Sequence, residues 1–369
     1  MATVIQPSVK QDLLRFGAVG LDLCFNCGTC TATCPLSKDG TSFPRNIVRY
    51  AQLGLRDKLV AMPEPWLCYY CGECSESCPR DANPAESVMA ARRFLTTQYD
   101  WTGLAYKMYT SKRWEFGVII AVALLVVLLF ALFHGPIVTD RVALNTFAPV
   151  HVIEMADWGM AAVLTFFLLT NIVYMVRKVT TRPGAPKVPW SLYVKELYAL
   201  PLHAATQKRW SECKDRMNWK KHLFLVTGYV TMFVMIFGFL PWFQTDTVHP
   251  VWHPQRLLGY YATAALLYVT ADMMIGRFKK RSQMHRFSHP TDWMFLGLLF
   301  ATALTGILVH IFRVSGLPLA TYGMYVLHMA ILVPMLLVEV PFGKWSHLAY
   351  RPIIAYLHQV GEKARAQAT

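Results

Sequence analysis

Acidic side chains are scarce in this 369-residue chain: 22 Asp and Glu stand against 36 Lys and Arg, and charged residues of all kinds make up only 16% of it. With 54% hydrophobic residues and a mean hydropathy of +0.32, that shortage excludes an ordinary soluble protein and points to a membrane protein. A Gly-rich dinucleotide fingerprint after a strand is also missing, which excludes a nucleotide-binding unit of that kind. No strand-like alternation of apolar and polar residues is visible, so the chain reads as all-α. The residues before about Gly20 lack the apolar h-region of a signal peptide. The net charge of +14 does not imply nucleic-acid binding, because the basic residues lie between long apolar runs.

Cysteine, by contrast, is concentrated. Cys24, Cys27, Cys30 and Cys34 form one run that ends in Pro35. Cys68, Cys71, Cys74 and Cys78 form a second with the same spacing and end in Pro79. This is the spacing that holds [4Fe–4S] clusters in two-cluster ferredoxins. Three cysteines at i, i+3 and i+6 wrap one cubane, and the fourth, turned away by its proline, reaches the other cluster. One cluster is thus assigned to Cys24, Cys27, Cys30 and Cys78, the other to Cys68, Cys71, Cys74 and Cys34. A zinc site uses separated Cys/His pairs, and disulfides need an oxidising compartment; neither suits these runs. Cys213 stands apart in a basic segment and reads as an unpaired free thiol.

The first hundred residues have the composition of a soluble unit. Residues 11–16, 45–53 and 83–95 have helical patterning, and 55–60 adds a turn. Pro84 suits a first-turn position and Glu86 the positive end of the helix dipole. The expected organisation is a cluster domain at 1–98, an interfacial linker at 99–113 rich in aromatic and basic residues, a membrane domain at 114–347 and a cytoplasmic tail at 348–369. Six apolar stretches, 114–133, 157–176, 222–243, 257–278, 292–313 and 319–342, are each long enough to cross a hydrocarbon core of roughly 30 Å. Lys and Arg crowd the connections after the second and fourth stretches and the C-terminal end. The other three connections show only Arg141, Arg256 and Arg313. The positive-inside rule then puts both termini in the cytoplasm, across an inner membrane, with the clusters on the reducing side.

Electrons that enter such a bundle need a carrier within it, and bis-histidine haem b is the usual one. His222 and His347 both fall at the cytoplasmic boundary. His328 lies 19 residues before His347, roughly 28 Å higher if the helix is continuous and less if Pro334 and Pro341 kink it. His310 has matching height, which makes His310 and His328 an outer pair; His151 is the alternate to His310, and His134 stands at similar height. His203, His249, His253, His285, His289 and His358 read as solvated. Asp272 and Glu339 fall inside apolar stretches, and Glu154 and Asp157 mark the outer end of the second; buried acids of this kind suit proton relay to a quinone.

These segments resemble known proteins. Residues 24–35 and 68–79 resemble the C-type dicluster subunits of heterodisulfide reductases. HLFLVTGYV after Lys221, DWMFLGLLFATALTG from Asp292 and HMAILVPMLLVEVPFGKWSHLAYRP from His328 resemble the E-type haem-b subunits of those enzymes and the nitrate reductase gamma subunit. In the gamma family one helix carries two haem histidines, and His328 and His347 match them; His222 matches the cytoplasmic-side histidine of the partner helix. Met232 stands where that family has a further histidine, which leaves the outer second ligand between His310 and His151. A fusion of both modules resembles the QmoC family, the membrane subunits of quinone-interacting membrane-bound oxidoreductase complexes. The resemblance implies two [4Fe–4S] clusters, two haems b and menaquinone. It also implies QmoA- and QmoB-like flavin and iron–sulfur partners and a link to adenylylsulfate reductase in dissimilatory sulfur metabolism. No CCG-type cysteine motif is present, so the chain is expected to be a subunit of a quinone-linked oxidoreductase that is not catalytic alone. Two other readings are the membrane arm of another heterodisulfide reductase-like or sulfite-reduction-linked complex, and a haem-free membrane anchor.

Overall fold

A computed structural model describes residues 4–37, 42–213 and 216–368. Among them the only regular elements are helices, so the chain is all-α. Around the two cysteine runs pack the helices Ser8–Arg15, Arg45–Gln52, Arg56–Val60 and Pro84–Tyr99. Arg45–Gln52 buries Ile47, Val48 and Ala51 on one face and turns Arg49 to the surface, the one-sided pattern of a surface helix. Pro84–Tyr99 opens with its proline in the first turn and is buried on nearly every side, as the central helix of this unit.

Among the described residues six helices are long and apolar enough to cross a membrane: Lys112–Phe133, Val150–Thr180, Arg216–Phe243, Pro254–Phe278, Pro290–Val314 and Pro318–Phe342. Each contains one of the expected apolar stretches. Leu124, Leu132, Phe133, Met155 and Trp158 stay exposed on their outer faces, apolar surface of the kind that lipid covers. The third helix packs on the fourth, the fourth on the fifth, the fifth on the sixth and the sixth on the first. The chain is a multi-pass membrane protein with an N-terminal cluster unit.

The sixth span does not run on smoothly to His347. Pro334 lacks an N–H, and the helix passes into a π-helical turn at Met335–Glu339. Pro341 and the extended Gly343 then end it, Lys344–Ser346 forms a 3-10 turn, and a new helix starts at His347. The depth reckoned for a continuous helix between His328 and His347 is therefore corrected: the path is broken.

The residues expected as a tail are also ordered differently. His347–Ala368 is a helix folded against the cluster unit. Tyr350 is fully buried, its ring centroid 5.0 Å from that of Trp66 and 5.7 Å from that of Tyr99. Its far half pairs Lys363 with Glu196 at 2.6 Å.

A buried charge cluster completes the junction. Asp292 sits in the first turn of the fifth span and accepts the His289 backbone N–H at 3.1 Å. Its carboxylate also takes Arg93 of the cluster unit at 3.0 Å and Lys344 at 2.6 Å, with Arg277 at 3.9 Å. Arg93 donates in addition to the Phe16 carbonyl at 2.8 Å. Removing one partner of such a group leaves buried charge uncompensated. Asp292→Ala is expected to lower stability by about 3–5 kcal/mol, read as a lower unfolding temperature in detergent; an unchanged temperature would show that this cluster does not hold the junction.

Candidate functional site

The two cysteine loops are built alike. In each, the second residue after the first cysteine has positive φ (Asn26, 61°; Tyr70, 59°), and a left-handed glycine (Gly28, Gly72) opens a short helix carrying the third cysteine. Gly72 is required twice over: its φ is +89°, and a Cβ there would stand 2.7 Å from the Gln283 Cβ. A bulky residue such as Tyr70 at positive φ is uncommon and is held there by its surroundings.

The loops bring the two runs together. Burial raises the Cys30 thiol above its ordinary range, and the neighbouring Cys24, Cys78 and Cys27 add to it. Burial likewise pushes Cys34 up to about 12, with Cys68 and Cys71 beside it. Cys68 is pushed up to about 11 by burial, against the pull of Arg92 and Arg351. Burial drives Cys74 well above its ordinary range, with Cys68, Cys71 and Cys34 as neighbours. Cys34 shares one cavity with Cys68, Cys71 and Cys74, and Cys78 is a neighbour of Cys30. Among the described residues no three His, Cys, Asp or Glu side chains close around a single ion; a cubane holds its ligands farther apart than one ion does. The thiolate is the form that binds metal, so cluster assembly releases the protons of these thiols.

Cys213 is a free thiol, as expected, but it does not stand apart from the cysteine runs. It is buried, and its hydrogen bond to Cys71 lowers that thiol to about 7. The same connection supplies Trp210, whose ring centroid lies 5.1 Å from that of Tyr69 and 4.9 Å from that of His222. No spacing pattern marks either residue in the sequence.

Beneath the second cysteine loop lies a cavity of about 140 Å³, lined by both His222 and His347. The Nδ1 of His347 donates to the Lys344 carbonyl at 2.6 Å, which fixes the tautomer and leaves Nε2 as a lone-pair donor. Burial holds this imidazole neutral, well below its usual range. The Nδ1 of His222 is buried with no hydrogen-bond partner. Arg92, Arg93, Arg277, Lys344 and Arg351 line the same cavity against the single carboxylate of Asp292. Arg277 Nε and Arg351 Nη2 are buried without partners. Two imidazoles and spare guanidinium donors fit a haem: the imidazoles suit its iron and the cations its two propionates.

A second cavity, of about 280 Å³, opens at the far end of the bundle and is lined by His310 and His328, and also by His249, which the sequence reads as solvated. Thr305 Oγ1 donates to the Ala301 carbonyl at 2.7 Å, so it accepts from His328 Nδ1 at 2.9 Å and leaves Nε2 free. His310 Nε2 meets Tyr260 Oη at 2.9 Å, so its other nitrogen faces the choice of ligand. Gly306 lies against His328, where a Cβ would stand 3.3 Å from its Cε1, and Arg256, Arg313 and Met232 share the lining. This set also fits a haem. His151 and His134 are exposed and do not line the cavity; His134 Nδ1 instead contacts the Gly135 carbonyl at 2.7 Å.

Other expected residues have structural partners. Asp272 pairs with Lys221 at 2.7 Å and Arg281 at 2.8 Å. Glu339 is fully buried, with one oxygen unpartnered, and Glu115, which no sequence pattern marks, is buried in the same way. Asp157 is buried at the far end of the second span, while Glu154 is exposed less completely than its neighbour Met155. His289 and His285, read as solvated, are not: His289 caps the fifth span and His285 is buried against Gly276.

Known proteins resemble the cluster unit. Residues 20–82 match the 4Fe-4S dicluster domain family. Over 116 residues the chain is 34% identical to a protein of Archaeoglobus profundus that is like the C-type subunit of heterodisulfide reductase, covering 31% of this chain and 61% of that one. Over 108 residues it is 36% identical to the C-type iron-sulfur subunit of the CoB–CoM heterodisulfide reductase of Methanopyrus kandleri, covering 29% and 54%. Over 63 residues it is 40% identical to the C-type subunit of the H2:CoB–CoM heterodisulfide,ferredoxin reductase of Methanothermobacter thermautotrophicus, covering 17% and 34%. The chain thus spans a third to three fifths of the length of these relatives. No solved structure matches it. The N-terminal unit matches a 4Fe-4S dicluster domain and is similar to the C-type subunits of heterodisulfide reductases, and it is carried on a multi-pass membrane protein.

Proposed function

We propose that this chain is the membrane subunit of a quinone-linked oxidoreductase. It would carry electrons between menaquinone and soluble partners through two haems b and two [4Fe–4S] clusters. The observation that carries the reading is the pairing of histidines: His222 with His347 on one cavity, His310 with His328 on another, in one bundle capped by a dicluster unit. Haems and clusters each take up and release single electrons. The chain's own residues supply the rest. The Lys344 carbonyl and the Thr305 hydroxyl orient the ring nitrogens of His347 and His328. Arg277 and Arg351 offer unpaired donors to carboxylates, and the apolar walls keep water from the imidazoles.

The charge asymmetry of the connections supports a cytoplasmic location for both termini and for the clusters. The fused arrangement supports membership of the QmoC family, with QmoA- and QmoB-like partners and electron exchange toward adenylylsulfate reductase. The similarity to heterodisulfide reductase subunits supports a partner from that wider class of complexes. Optical difference spectra test the proposal. A soluble menaquinol analogue, and dithionite after it, are expected to raise b-type bands in the purified protein. Absence of those bands even with dithionite would leave a haem-free membrane anchor in its place.

A further inference from the structure

The two clusters are not placed alike with respect to the bundle. The loop that carries Cys68, Cys71 and Cys74 is walled by membrane-domain residues on three sides. Gly72 abuts Gln283 of the connection between the fourth and fifth spans. Cys213 bonds Cys71 from the connection before the third span. Tyr69, next to Cys68, lies against Trp210 with the ring planes tilted by 30°, and Trp210 in turn meets the ring of His222. Two arginines repeat the link. Arg351, one helical turn after His347, lies 3.8 Å from the centre of the Tyr69 ring. Arg92 donates to the carbonyls of Pro65 and Cys68 and lines the cavity of His222 and His347. The loop of Cys24, Cys27 and Cys30 is more open: Cys27 is exposed, and Phe25 is 60% exposed.

We infer that the cluster of Cys34, Cys68, Cys71 and Cys74 is the one next to the His222–His347 cavity, joined to it through Tyr69 and Trp210. The cluster of Cys24, Cys27, Cys30 and Cys78 is then the outer one, toward the soluble partner. The inference rests on the proposed function for its meaning, since it gives the order in which single electrons cross the cluster unit. It does not rest on it for its test. Trp210 and Tyr69 act as positioning residues, holding the cluster loop and the ligand helix in contact.

The experiment uses the full chain with Cys213→Ser and a nitroxide attached at the exposed Glu212→Cys, two residues from Trp210. A second label goes on Leu53→Cys; this residue is exposed and follows Gln52, whose amide donates to the Cys24 carbonyl at 3.0 Å. Dithionite reduces the clusters, and the spin–lattice relaxation of each label reports which paramagnetic cluster is near. In a Cys27→Ser background, fast relaxation is expected to survive at 212 and to be lost at 53. In a Cys71→Ser background the expectation is the reverse. Loss at 212 with Cys27→Ser would overturn the inference. If Cys71→Ser fails to assemble, the Cys27→Ser arm still decides between the two orders. The readout involves neither haem nor quinol, so failure of the proposed function and failure of this order give separate results.

Discussion

His347→Ala is expected to remove one haem from the chain and leave the other. His347 Nε2 is freed for a ligand by the bond from Nδ1 to the Lys344 carbonyl, and no other histidine than His222 lines the same cavity. One imidazole alone, opposite an alanine, leaves a buried axial position without a donor. The low-spin haem signal of that site should vanish from the EPR spectrum, while the second low-spin signal persists. Reduction of the clusters by a menaquinol analogue should stop, though dithionite still reduces them. His328→Ala is expected to remove the other signal. His310→Ala should remove that same signal, and His151→Ala and His134→Ala should not, because the latter two side chains are exposed and outside the cavity. If His151→Ala costs a haem and His310→Ala does not, the far ligand is misassigned.

Cys34→Ser is expected to destroy the cluster of the other run. Cys34 lies beside Cys68 and Cys71, and Cys78 beside Cys30, the crossed arrangement of two-cluster ferredoxins. Iron content should fall by about half of the cluster iron. The cluster signal that remains should match the one left by Cys71→Ser. A residue of signal matching Cys27→Ser instead would show that each run keeps its own fourth cysteine.

Much of the architecture was legible because its signals are local. A cubane takes three ligands from one short loop, so the spacing of Cys24, Cys27 and Cys30 is visible without the fold. A helix that crosses lipid must be apolar along its whole length, so the six spans were evident; the structure extends the second and third by a turn or more and the others by three residues or fewer at an end. The helices expected at 45–53 and 83–95 followed from their periodicity and from Pro84, and the second runs on to Tyr99. What was hidden depends on contacts between distant segments. Tyr350 belongs to the core of the cluster unit only because Pro334, Pro341 and Gly343 break the sixth span and turn the chain back; the same residues suit a tail equally well on composition. Cys213 and Trp210 lie in a connection with no periodicity, and a single cysteine has no spacing to betray its neighbour. Gly72 needed the position of Gln283 to explain it. The far histidine was open in the sequence because Met232 stands where a related family has its ligand; the cavity shared by His310 and His328 narrows the choice on geometry.

The central claim is that the two histidine-lined cavities hold haem b. Pyridine haemochrome quantification of the purified full-length chain tests it most directly, against protein measured by amino-acid analysis. The account predicts b-type haem at about two per chain. A chain that carries its iron–sulfur clusters but no haem would contradict it.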